Sequence, residues 1–92
     1  NPKDEDFYFS LAYIKFQFLE DYKGAIEDLS KAIELNPDFY QSYYNRGNVK
    51  NKIGNIKGAC FDWKKAYSLA DMQTPNNSDI FAINQTIKEK CK

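Results

Sequence analysis

The stretch KGAIEDLSKAIELNP, from Lys23 to Pro37, returns as KGACFDWKKAYSLAD from Lys57 to Asp71. Seven of the fifteen aligned positions are identical, and Ala25 and Ala59 stand 34 residues apart. In the first copy Ala25, Ile26, Leu29, Ala32 and Ile33 form one apolar stripe; in the second, Ala59, Cys60, Trp63, Ala66 and Tyr67 do the same. Apolar residues at every third or fourth position are the pattern of an amphipathic helix. Two equivalent helices 34 residues apart imply a unit built twice.

Working outward, Asn36-Pro37 ends the first of these helices, because proline disfavours helical backbone in the residue before it. The spacing predicts helices over Tyr22–Leu35, Tyr40–Ile53 and Ile56–Ala70, with Gly54-Asn55 as the turn between the last two. Upstream, residues 4 to 19 carry two stripes, Tyr8, Leu11, Ala12 and Phe18 on one face and Phe9, Tyr13 and Phe16 on the other. Such a helix needs cover on two sides. Asp4, Glu5 and Asp6 crowd its first turn, where carboxylates complement the helix dipole. Downstream, the polar run MQTPNNSD reads as a linker, with Ser78 as N-cap of a last helix from Asp79 to about Lys90. Every regular element is helical.

Paired helices at a 34-residue period resemble the tetratricopeptide repeat, whose consensus runs W-x2-L-G-x2-Y, then A-x3-F, then P. The second unit reads Tyr43-x2-Arg46-Gly47-x2-Lys50, then Ala59-x3-Trp63 and Ala66; the first reads Tyr8-x2-Leu11-Ala12-x2-Lys15, then Ala25-x3-Leu29, Ala32 and Pro37. The resemblance covers about residues 6 to 71. It implies an all-α fold, an α-solenoid of two helix-turn-helix repeats and a C-terminal capping helix, about five helices in one domain over residues 1–92. Repeat one spans about 4–37, repeat two about 38–71, the linker 72–78 and the cap about 79–90, which would serve equally as the first helix of a third repeat. Tyr8 and Tyr43 are 35 residues apart whereas Ala25 and Ala59 are 34 apart, so one extra residue is expected near Phe18-Leu19. Asp71 stands where a terminating proline belongs, and the helix before it is expected to run on by a turn. Asn1-Pro2 echoes Asn36-Pro37 and the chain opens on Asn rather than Met, as expected of a piece cut from a longer array.

Members of this family are mostly scaffolds that bind peptides or proteins in the groove lined by their first helices. Carried onto this chain, that groove is lined by Phe9, Tyr13 and Phe16 in unit one and by Tyr44, Asn48 and Asn51 in unit two, with Asn45 and Lys52 at its edges. Amides can bond an extended peptide backbone and aromatic faces can take its side chains. The bland alternative is that Phe9, Tyr13 and Phe16 merely pack against neighbouring helices. Some family members clamp carboxylates with groove lysines and asparagines; here Phe9 and Tyr44 occupy the lysine positions, which disfavours that mode. Arg46 replaces a consensus leucine and is expected to form a structural ion pair with an acid on a second helix, Asp28 or Asp62.

Composition narrows the remaining classes. The chain has no histidine and no carboxylate pair set apart from the repeat framework, so no catalytic residues are expected. No metal or cofactor site is expected either, since the two cysteines belong to no CxxC or Cys/His cluster. Cys60, on an apolar stripe, reads as a small core residue and Cys91 as an exposed one; free thiols would suit the cytoplasm or another reducing compartment. Net charge is zero, but residues up to Asp38 carry nine acids and four lysines, a net of −5, against +5 for the rest. That split could steer a charged partner or let copies stack weakly head to tail. The basic half holds no cationic run longer than Lys64-Lys65, which argues against nucleic acid, and no apolar window approaches a membrane span of about 20 residues. The expected partner is a protein or peptide.

Overall fold

The computed structural model describes residues 4–92 and consists of five helices: α1 (Glu5–Gln17), α2 (Tyr22–Leu35), α3 (Tyr40–Lys52), α4 (Ile56–Gln73) and α5 (Ser78–Lys90). The Asn1-Pro2 expectation lies outside the described residues. Each helix packs chiefly on its sequence neighbours, α1 on α2, α2 on α3, α3 on α4 and α4 on α5. The extents are 32 × 28 × 18 Å, the shortest being about two helix diameters. It is an all-α helical-repeat fold, and contacts between successive units are what hold such a fold together.

The repeated sequence has a local cause. Asp21 caps α2 by accepting from the Gly24 backbone N–H at 3.0 Å, and Asn55 caps α4 by accepting from Gly58 N–H at 3.0 Å. The shared Lys-Gly-Ala thus marks the first turn of each second helix. The connection into α2 is residues 18–21 and that into α4 is residues 53–55, which puts the extra residue of unit one at Phe18 or Leu19. Glu20 and Gly54 occupy the matching place and both have positive φ, +52° and +87°. A glycine adopts that backbone without the Cβ clash that Glu20 bears.

Small residues set how closely the hairpins close. Ala12, Ala25, Leu29 and Val49 form the core of the first hairpin, with Val49 reaching in from α3. Tyr40, Tyr43, Ala66, Leu69 and Ala70 form the second core, which Ile80 and Ile83 of α5 complete. A Cβ on Gly47 would lie 2.6 Å from the Trp63 ring and 3.1 Å from the Ala59 carbonyl oxygen. Only glycine lets α3 approach α4 across that indole.

Several boundaries differ from expectation. Helix α1 stops at Gln17, so Phe18 leaves the Tyr8 stripe and is 73% exposed. Helix α4, by contrast, runs on three residues past Ala70, the extension expected from Asp71 in place of a terminating proline. The N-cap of α5 is Asn77 rather than Ser78, its side chain accepting from Asp79 N–H at 2.9 Å. Asn77 Nδ2 also donates to the Tyr40 hydroxyl, which donates to Asp79 at 2.8 Å, so the start of α5 is tied back to α3. Burial, reinforced by Asp79, raises the pKa of Tyr40.

Candidate peptide-binding face

The first helices of the two hairpins, α1 and α3, carry the expected groove residues, but not in one chemical state. Phe9 packs at a tilt against Phe39 with ring centroids 5.3 Å apart, and Phe16 packs edge-on to Tyr22 at 5.8 Å. Both are half-buried and flank the first core. Much of their surface is therefore spent on the fold. Tyr13 is 54% exposed, with Phe18 of the following turn at 6.4 Å.

On α3, Tyr44 is half-buried against the second core. Asn45 and Asn51 are half-buried and Lys52 is exposed. Asn48 accepts a hydrogen bond from Trp63 Nε1 at 3.1 Å, so its carbonyl is committed to the hairpin and its amide NH2 makes no bond among the described residues. Gln41, one turn before Tyr44, was not foreseen; its Oε1 is buried without a partner. Its spacing from Tyr44 and Asn48 was the available signal.

Beneath this face lies the chain's principal charge cluster. Asp62 is fully buried and receives Arg46 in a two-pronged contact, Nε to Oδ2 at 2.9 Å and Nη2 to Oδ1 at 2.8 Å, while Lys50 Nζ lies 3.0 Å from Oδ2. Arg46 Nη1 donates to Ser30 Oγ at 3.1 Å, so one guanidinium ties α2, α3 and α4 together. Hydrogen bonding to Asp62 raises the Arg46 pKa. Asp28, the other acid considered for Arg46, pairs instead with Lys15 at 2.8 Å, which raises the Lys15 pKa. The reason is positional: Lys15–Asp28 is the unit-one counterpart of Lys50–Asp62, and Leu11 stands where unit two has Arg46.

The cysteines also depart from expectation. Cys60 and Cys91 are joined in a disulfide, and neither is a free thiol. Helix α5 runs back along α4, which brings its C-terminal end to the first turns of α4. The free-thiol ground for a reducing compartment is thereby removed.

Two helix hairpins, extended by a fifth helix, define an all-α helical-repeat fold, an α-solenoid. Residues 19–54 match the family profile described as TPR repeat, and the chain is similar to tetratricopeptide-repeat proteins. It is 38% identical over 68 residues to serine/threonine-protein phosphatase T of Aspergillus oryzae, a match covering 74% of this chain and 13% of the phosphatase. Among solved structures, MamA superposes with TM-score 0.74 at 21% identity, over 98% of this chain and 52% of MamA. The first TPR of Spaghetti (RPAP3), bound to the HSP90 peptide SRMEEVD, gives 0.73 at 22% identity, over 96% of this chain and 69% of that one. Proteins of this family are generally protein–protein interaction modules and typically non-catalytic. No described helix is long and apolar enough to cross a membrane.

Proposed function

We propose that this chain is a non-catalytic docking module that holds a partner's extended peptide segment along α1 and α3. The observation that carries this reading is the Asn48 amide: its oxygen is fixed by the Trp63 indole, so its NH2 is pre-oriented and left to donate to a peptide carbonyl. Asn51, one turn on, extends the same row, and the exposed ring of Tyr13 offers an apolar wall on α1. Spaghetti's bound peptide supports the mode of engagement, while Phe9 and Tyr44 in place of lysines favour a segment held by backbone and side chains over one gripped by its terminal carboxylate. Peptides selected from a displayed library against the 92-residue chain should shift the amide resonances of Tyr13, Tyr44, Asn48 and Asn51. Asn48→Ala and Asn51→Ala should each weaken binding by about fivefold, the scale of one lost hydrogen bond. Selected peptides that bind both variants as tightly as the parent would refute the assignment.

A further inference from the structure

A recess of about 540 Å³, lined by no residue of α1 or α3, lies between the start of α4 and the end of α5. Volumes of this size are typical of ligand sites. Its floor is the Cys60–Cys91 disulfide and its apolar wall is Ile56 and Phe61, the latter 69% exposed. Lys57 and Lys64 from α4, Lys90 at the last turn of α5 and Lys92 just beyond it complete the lining, which includes no Asp or Glu side chain. Elsewhere Lys15, Lys50 and Arg46 are each matched to a carboxylate, whereas none of these four lysines makes an ion pair among the described residues. An uncompensated cationic rim around exposed apolar surface is a poor choice for folding and a good one for an anionic ligand with an apolar anchor. Lysines on flexible stems suit carboxylates spread along a chain better than one planar group.

We infer that this recess is a second docking site, for an acidic segment of a partner protein that carries an aromatic or large aliphatic side chain, and that the disulfide is needed to assemble it. The phenyl or alkyl group sits against Phe61 and Ile56 while flanking carboxylates meet the lysines. A second copy of the chain is the weaker occupant. Its acidic end is partly engaged, with Asp4 capping α1 and Glu5 accepting from Asn36 Nδ2, and a head-to-tail contact terminates only where its rotation closes a ring. Reduction frees Cys91 from α4, removes two of the four lysines from fixed positions and unmakes the floor.

The test uses the oxidised 92-residue chain and a fluorescein-labelled peptide of glutamates flanking one phenylalanine, read by anisotropy. Binding is expected to weaken about tenfold in K57E/K64E, and by about fivefold or more between low and high salt. It should be unchanged in K23E/K31E, which alters the net charge equally on α2, and in N51A, which belongs to the α1/α3 face. Cys91→Ser and dithiothreitol should each weaken it about fivefold through lost preorganisation, with helicity checked by circular dichroism. Absence of binding to the oxidised chain overturns the inference, as does equal binding by K57E/K64E or loss in N51A. Tighter capture of anionic vesicles than of the peptide, or a salt-sensitive dimer in sedimentation that the peptide does not dissociate, overturns it as well.

Discussion

Asp62 and Asp28 occupy the same place in the two units, yet they carry different loads. Asp62 is fully buried and neutralised by two cations, whereas Asp28 has Lys15 alone. Removing Arg46 leaves Lys50 beside Asp62, so Arg46→Leu should destabilise by about 1–2 kcal/mol, the scale of lost charged hydrogen bonds. Asp62→Ala strands two cations at one hairpin crossing and should cost about 3–5 kcal/mol. Urea denaturation of both variants gives the comparison, and equal losses would disprove the idea that Asp62 is the hub. The same logic of paired positions applies to Gly47. Unit one has Ala12 where unit two has Gly47, and Leu29 where unit two has Trp63, so the small residue tracks the size of what it faces. Gly47→Ala should therefore lose about 1–3 kcal/mol by overpacking the indole, despite alanine's better helix propensity. Trp63→Leu in that background should show a favourable coupling energy in a double-mutant cycle; strict additivity would mean that the indole is not what excludes the methyl group.

At the scale of elements, α5 is held by apolar contacts of Ile80 and Ile83, by Tyr40 and Asn77 at its start, and by the disulfide at its end. Cys60 and Cys91 are 31 residues apart, and closing a loop of that length is worth about 3–4 kcal/mol through the unfolded chain. Cys60→Ser/Cys91→Ser should lose most of that in denaturant melts, and amide exchange should quicken in α5 before α2. Uniform quickening would show that α5 is not a separately releasable unit. The five helices were legible because their signals are local: repeated alanines, Asn-Pro and Gly-Asn breaks, and a spacing mismatch that located the extra residue before Glu20. The disulfide was not legible, since no local pattern announces that α5 turns Cys91 back onto α4. Asn77 and Ser78 are both good cap formers, and only the tie to Tyr40 decides between them. On the candidate face, the sequence offered Phe9 and Phe16 as groove residues, and their packing against Phe39 and Tyr22 is a tertiary fact that helical spacing does not carry. Arg46 was legible as an ion-pair former, and the choice of Asp62 over Asp28 depended on Lys15.

For the whole molecule, the response to pH joins the two ends of the solenoid. Lys15 in the first hairpin has its pKa raised above the ordinary lysine value by its bond to Asp28. Tyr40, which anchors α5, has its pKa raised by burial and then by Asp79. In both cases the folded state holds its proton more tightly than the unfolded chain does. The stability each supplies is complete below the unfolded value, about 10 for tyrosine and about 10.4 for lysine, and is lost as pH rises through the higher folded value. Denaturation midpoints should thus hold steady up to about pH 9.5 and fall beyond it. Tyr40→Phe has no proton to lose, so it should begin less stable at neutral pH and decline less steeply; Lys15→Met should remove the other part. Because the two groups share no partner, the double variant should flatten the alkaline decline by the sum of the single effects. A midpoint that rises above pH 10, or a Tyr40→Phe profile parallel to the parent's, would show that neither proton is linked to folding.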